Sequence, residues 1–337
     1  MDSNDDGQEL DLLKLSYEIV EGFSGERIDK VLTELSTELY PELLLTRSKI
    51  EKLIEQGCVR LDNSEIRSKS FKIEQACVAK LTLSDFIGLD LKGDPDVVFD
   101  VVYEDKDLVV IDKPAGLVIH PGDGGEIGTL AHGLVYRYGL KGVGHPKRPG
   151  IVHRLDKDTS GLMVVALNQS TLNKLLEQFH PPRKIHRTYF AVTRKPPSSR
   201  ALPVTGVISA SISRDPKNPV KMGVSKEGRA ATTKYRFVEE FTEAMLVELE
   251  LETGRTHQIR VHLENIGIPI LGDPTYHRGS TRLSREIEIV LPARQALHAA
   301  KLSFEHPETK QQLSFESELP EDIAKLIEAL RILDAGQ

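Results

Sequence analysis

The chain has 337 residues, 39% hydrophobic and 28% charged, which excludes a disordered polymer and leaves room for two or three domains with their own cores. A net charge of −7 at pH 7 argues against a simple nucleic-acid binder, and no apolar run approaches the ~20 residues that cross a bilayer. Two cysteines, Cys58 and Cys77, are too few for a disulfide framework or a zinc site, and the N-terminus has no signal-peptide pattern. The expectation is therefore a cytoplasmic protein with no metal and no membrane partner.

In chain order, residues 1–15 read as a disordered acidic tail, with Asp2, Asp5, Asp6, Glu9 and Asp11 and no cation among those acids. Residues 16–85 read as a small α/β module. Ile28, Val31, Leu32 and Leu35 recur at helical spacing over 26–36. Thr46 can cap a second helix that buries Ile50, Leu53 and Ile54 and stops at Gly57. A strand over 58–61, a turn at Asp62-Asn63 and a closing strand over 78–83 follow. Residues 86–100, with Gly88, Gly93, Pro95 and scattered aspartates, read as a linker.

The third section, 101–333, alternates strands with a few helices. It offers an apolar strand over 108–111, a turn over 113–116 and a second strand over 117–119. A helix over 171–179, an alternating strand over 246–251 and a final helix over 321–332 complete it. The lack of regular βαβ alternation and of a glycine-rich nucleotide loop predicts a mostly antiparallel α+β domain.

Three stretches carry chemistry. His153-Arg154-Leu155-Asp156-Lys157-Asp158-Thr159-Ser160-Gly161 sets Asp156 among cations on a loop that leads into a strand, open to a polyanionic partner. An ordinary polar turn accounts for the same residue types. Asp158 reads as closing that loop rather than as half of a glycosidase pair. Arg187-Thr188-Tyr189-Phe190-Ala191-Val192 puts a phenol in a strand beside cations. It lies in a stretch from 183 to 200 holding Arg183, Lys184, Arg187, Arg194, Lys195 and Arg200 with no acid. Glu252-Thr253-Gly254-Arg255-Thr256-His257-Gln258-Ile259-Arg260-Val261-His262 reads as a strand end, a tight turn and a helix start. Tyr189 can stack on a flat base and Arg255 can pair with a buried aspartate, or the two are core packing and a helix-start charge. His257 and His262, five apart, do not make a helical zinc pair.

These motifs, in this order, resemble the RluA-type RNA pseudouridine synthases. The likeness runs from Val101 to Arg331 and includes Val109-Val110-Ile111-Asp112-Lys113-Pro114-Ala115-Gly116 and Arg294-Gln295-Ala296-Leu297-His298-Ala299. The first module resembles the S4 RNA-binding domain, with Arg47, Lys49, Lys52 and Arg60 as candidate RNA contacts, although Glu74-Gln75-Ala76 stands where a Gly-Asp turn is usual. An S4 module in front of this domain is similar to the D-type subfamily that modifies large-subunit (23S) ribosomal RNA.

The resemblance implies isomerisation of uridine to pseudouridine with no cofactor, because the base is cut from C1′, turned and rejoined through C5 without loss of a group. It makes Asp156 the catalytic carboxylate, acting at C1′, at uracil C6, or on the 2′-proton. It makes Tyr189 the partner that stacks on uracil, Arg255 the cation opposite Asp156, and Arg154 the side chain that fills the place of a flipped base. Candidate substrate contacts around them are His153, Lys157, Arg187, His257 and Arg260. The expected partner is RNA and the expected state a monomer. Transfer RNA as substrate, a non-catalytic ribosome-assembly factor and a nucleoside hydrolase are the competing readings. Asn168, where lysine is usual, and the charged stretch 278–290 depart from the pattern.

Overall fold

The structure, a computed structural model, describes residues 14–39, 45–62, 64–82, 91–121, 126–140, 142–145, 147–179, 183–196, 202–216, 218–277 and 283–336. The acidic tail up to residue 13, residues 83–90 of the expected closing strand and linker, and 278–282 lie outside the described residues. The chain divides into two compact units, one ending at Leu91 and the other starting at Lys92.

The first unit contains β1 (Lys14–Ile19), α1 (Ile28–Leu39), α2 (Arg47–Glu55), β2 (Val59–Leu61), β3 (Ser64–Ile66) and β4 (Cys77–Thr82). Its strands form an antiparallel sheet in the order β1-β4-β2-β3. Lys14 and Leu15, assigned above to the tail, instead begin β1. Leu15, Tyr17 and Ile19 alternate onto the buried face, a period-2 signal that the neighbouring acids obscure. They pack with Ile28, Val31 and Leu32 of α1 and Ile50, Leu53 and Ile54 of α2. Thr46 sits at the N-cap of α2, but its hydroxyl bonds Ser48 Oγ at 3.1 Å and not the backbone. Gly57 adopts φ +76° just past the helix, the conformation a side chain would resist.

The second unit is built on a nine-stranded sheet. Its elements are β5 (Asp100–Glu104), β6 (Leu108–Lys113), α3 (Leu130–Tyr138), β7 (Ser160–Ala166), α4 (Gln169–Phe179), β8 (His186–Arg194), β9 (Thr205–Ser209), β10 (Ile212–Asp215), β11 (Asn218–Val224), β12 (Thr232–Glu240), β13 (Ala244–Leu251), α5 (Gln258–Asn265), α6 (Arg285–Val290), β14 (Leu297–Glu305), β15 (Gln312–Glu316) and α7 (Glu321–Ala335). The sheet order is β5-β6-β7-β14-β8-β13-β12-β9, with β15 on β14, and β10 and β11 form a separate hairpin. Among the described residues only the β7–β14 contact is parallel, so the expected mostly antiparallel α+β class holds. β6 reads as one apolar run because both its faces are covered. Val109 and Ile111 join the core that α3 and α7 share, Leu108 and Val110 the one that α4 covers.

Two expectations differ here. Residues 117–119 are not a strand: the carbonyls of Val118 and Ile119 accept the N–H groups of Leu130 and Ala131 at the start of α3. The C-terminal part of the expected linker is packed structure. Phe99 is buried, and Gly93 lies so close to the Tyr136 backbone that no side chain fits.

Candidate active site

The Asp156 loop is held almost entirely by its backbone. Lys113, 0% exposed at the end of β6, donates to the carbonyls of Pro114 (2.8 Å), Leu117 (3.0 Å) and Lys157 (2.8 Å). Burial pulls this ammonium down to about 7, with nearby Asp158 opposing. From the segment before β14, Arg294 donates to the Asp158 carbonyl (3.0 Å) and Gln295 to the Thr159 hydroxyl (3.1 Å). Gly161 then has φ +118°, with its Cα so close to the backbone of Ala299 that a Cβ would lie 2.3 Å from the carbonyl oxygen. Glycine is thus what lets β7 and β14 touch in parallel immediately after the loop.

Tyr189 stands on β8 at the middle of the sheet, between Leu249 of β13 and Ala299 of β14. It is buried, and burial raises its phenol, with Arg187 pulling the other way and Asp156 adding to the rise. The third wall is the turn between β13 and α5. Gln258 organises it through a saturated amide. Its Oε1 accepts from the Thr253 hydroxyl (2.6 Å) and the Arg255 N–H (3.0 Å), and its Nε2 donates to Thr232 O (2.9 Å) and Thr233 Oγ1 (3.0 Å). His257 takes a left-handed conformation, φ +55°, and shares a 2.8 Å hydrogen bond with the Tyr276 hydroxyl.

The expected Asp156–Arg255 pair is not what forms. Arg260 Nη1 meets Asp156 Oδ2 at 3.1 Å, and the same guanidinium grips Asp273 through Nε (2.7 Å) and Nη2 (2.9 Å). Arg255 is exposed before the helix and donates to Ala230 O at 3.2 Å. The reason is where α5 starts. Arg260 falls inside the helix between buried Ile259 and Val261, so its charge needs carboxylates, whereas Arg255 reaches solvent. Tyr276, fully buried, backs this arrangement: Arg260 lies 4.9 Å over its ring, and its hydroxyl accepts the Met222 N–H of β11 at 2.8 Å.

Asp156 (side chain 23% exposed), Tyr189, Arg154, His153, Arg187, Arg255, His257 and Arg260 all line one cavity of about 680 Å³, a size that suits a small ligand or one nucleotide. Lys157 does not join them; its side chain is exposed and only its carbonyl serves the loop. Arg154 donates to Thr256 Oγ1 across the mouth. His153 is half-buried and its ring is neutral: the Val164 N–H donates to its Nε2 at 3.1 Å, and desolvation of the ring, then Arg187, drive its pKa to about 3. Sequence reading gave no role to Lys113, Gln258, Asp273 or Tyr276. Its place at a helix start within the 252–262 stretch was the available signal for Gln258. The others meet the site only through the fold.

In the first unit, Arg47 is committed to Asp29, 0% exposed, through Nε (3.0 Å) and Nη2 (2.8 Å), with Arg27 on the other side. Lys49 is half-buried, whereas Lys52 and Arg60 are exposed. Among the described residues one group could chelate an ion, Asp105, Asp107 and His306, with ligand atoms within 4.8 Å of one another. Its imidazole is already engaged, with Nε2 bonded to Asp105 (2.8 Å) and Nδ1 accepting the Glu308 and Thr309 N–H groups.

Residues 107–265 match the family model described as RNA pseudouridylate synthase. An uncharacterized RNA pseudouridine synthase of Bacillus subtilis is 39% identical over 308 residues, covering 91% of this chain and 95% of its own length. Ribosomal large subunit pseudouridine synthase D of Zymomonas mobilis is 38% identical over 322 residues, 93% of this chain and 96% of its own. Among solved structures, human RNA Pseudouridylate Synthase Domain Containing 4 aligns with a TM-score of 0.53 at 29% identity, covering 69% of this chain and 93% of that one. An enzyme that isomerises uridine within RNA is the class these matches define. The chain belongs to the RNA pseudouridine synthase family.

Proposed function

We propose that this enzyme converts uridines of large-subunit ribosomal RNA to pseudouridine, with Asp156 as the reacting carboxylate. The substrate reading rests on the relatives named for the large ribosomal subunit. The site reading rests on one observation above the others: a half-buried Asp156, ion-paired with Arg260, shares a nucleotide-sized cavity with Tyr189.

The chemistry follows from the parts. Attack at C1′, addition at C6 and removal of the 2′-proton all require a carboxylate fixed beside the glycosidic bond, and the bonds to the 156–159 backbone fix it without using the carboxylate itself. Arg260 supplies the opposite charge. Tyr189 forms the floor on which uracil stacks, with its hydroxyl next to the proton that leaves C5. A base inside a stem is flipped out at a cost of a few kcal/mol, and Arg154 at the cavity mouth fills the space it vacates. The N-terminal unit, read from sequence as residues 16–85, adds contacts to structured RNA through Lys52 and Arg60.

The test is release of tritium from ribosomal RNA labelled at uridine C5. Wild type releases it; Asp156→Asn loses at least about a thousandfold in rate while RNA affinity stays within a few-fold. Release at wild-type rate by Asp156→Asn would end the assignment. Release from transfer RNA but not ribosomal RNA would replace the substrate.

A further inference from the structure

The charges of the cavity do not cancel. Among the described residues, six arginines and two carboxylates line it. Asp156 is matched by Arg260, and Glu252 is taken by Lys234 of β12 at 2.8 Å. Arg183, Arg187 and Arg255 have no carboxylate within salt-bridge distance among the described residues. Arg187 is only 7% exposed, stacked 5.2 Å over the Phe179 ring, and its Nε has no acceptor. Arg255 is pinned by Nε to Ala230 O, which leaves both Nη groups for a ligand. Arg183 is half-buried beside them, and its pKa is lowered by burial, then by Arg187 and Arg255. Three like charges gathered and partly desolvated destabilise the free protein, and a bound anion is what offsets that cost.

We propose that Arg183, Arg187 and Arg255 form a phosphodiester subsite that grips the RNA backbone next to the uridine stacked on Tyr189. Spacing supports this. Arg187 and Tyr189 are alternate residues of one strand, so their side chains share a face about 7 Å apart, the reach from a nucleobase to its own phosphate. Guanidinium forks match the paired oxygens of a phosphodiester, and stacking on Phe179 holds the Arg187 plane. The subsite rests on Tyr189 and Asp156 marking the reacting nucleotide, as argued above.

The test uses the full chain and a short fluorescent single-stranded RNA with one uridine. Dissociation constants are followed against salt for wild type, for the double variant Arg183→Gln/Arg255→Gln, and for Arg187→Lys. Removing phosphate contacts flattens the plot of log affinity against log salt by about 0.7 per contact. The double variant is expected to show that flattening. A methylphosphonate beside the uridine weakens wild type and weakens the double variant less, since only Arg187 remains there to feel the lost charge. Arg187→Lys keeps its charge, hence its slope, but loses severalfold in affinity because an ammonium cannot fork. An unchanged slope in the double variant, or equal methylphosphonate losses in both proteins, overturns the subsite. Tritium release from ribosomal RNA is scored separately: its absence with a flattened slope removes the reading above and leaves the subsite standing.

Discussion

The cations of the N-terminal unit and those of the cavity are handled in opposite ways. In the first unit Arg47 is bound to Asp29, Arg67 to Glu65 at 2.6 Å, and Lys69 bridges Glu51 (3.4 Å) and Glu55 (3.2 Å). In the cavity, Arg183, Arg187 and Arg255 are left without acids among the described residues. A count of basic residues would rank the first unit as the stronger anion trap, yet pairing removes much of that charge. What matters for RNA is the cation left over after the protein has satisfied its own carboxylates.

The largest expected effect separates Arg260 of α5 from Arg255 of the turn before it. Arg260→Gln strands Asp156 and the buried Asp273 together and is expected to cost about 3–5 kcal/mol of stability, with loss of tritium release. Arg255→Gln should change stability by no more than about 0.5 kcal/mol and act on RNA affinity instead. Urea unfolding alongside the tritium assay reads both. If Arg255→Gln proved the more destabilising of the two, Arg260 would lose its place as the charge partner.

The same contrast can be pressed in the first unit. Arg47→Ala removes two charged hydrogen bonds from Asp29, whose carboxyl burial tends to raise but Arg27 and Arg47 together hold below its usual range. The expected loss is about 2 kcal/mol, seen as faster hydrogen exchange at Tyr17 and Leu32. Lys52→Ala should leave that exchange unchanged while flattening the salt dependence of RNA binding by less than about 1. Similar exchange in the two variants would mean that Arg47 is as free as Lys52.

How far the sequence could be read depended on the range of the signal. Helix α7 and strand β13 were legible because their apolar spacing is local. That Asp156 and Tyr189 line one cavity was legible because each stands within a contiguous motif. Arg255 was chosen over Arg260 on the resemblance alone; which of the two meets Asp156 depends on how α5 packs beside the loop, which only the fold shows. Lys113, Asp273 and Tyr276 were out of reach: nothing near them in the chain shows that β6 ends under the Asp156 loop or that Tyr276 backs Arg260. The tail misled in the opposite sense, its acids hiding the Leu15-Tyr17-Ile19 alternation that makes β1.

The effect most specific to uncommitted charge falls on the neighbour of Arg187. His153 has its folded pKa depressed to about 3, by burial first and Arg187 second, against about 6.5 when unfolded. As pH falls below 6.5 the unfolded chain takes up a proton that the folded ring refuses. Stability is therefore lost from 6.5 down to about 3, by up to about 1.4 kcal/mol per pH unit. His153→Gln retains an acceptor for the Val164 N–H and cannot titrate. Between pH 7.5 and 5 it should lose about 2 kcal/mol less than wild type in urea unfolding. The double variant Arg187→Gln/His153→Gln should match it, since no titrating ring remains to feel Arg187. Arg187→Gln alone should show an acid loss close to wild type and larger than His153→Gln, because burial is the leading cause of the depression. Parallel stability curves for wild type and His153→Gln would mean that the ring is protonated in the folded protein, and that the charge of Arg187 is balanced after all.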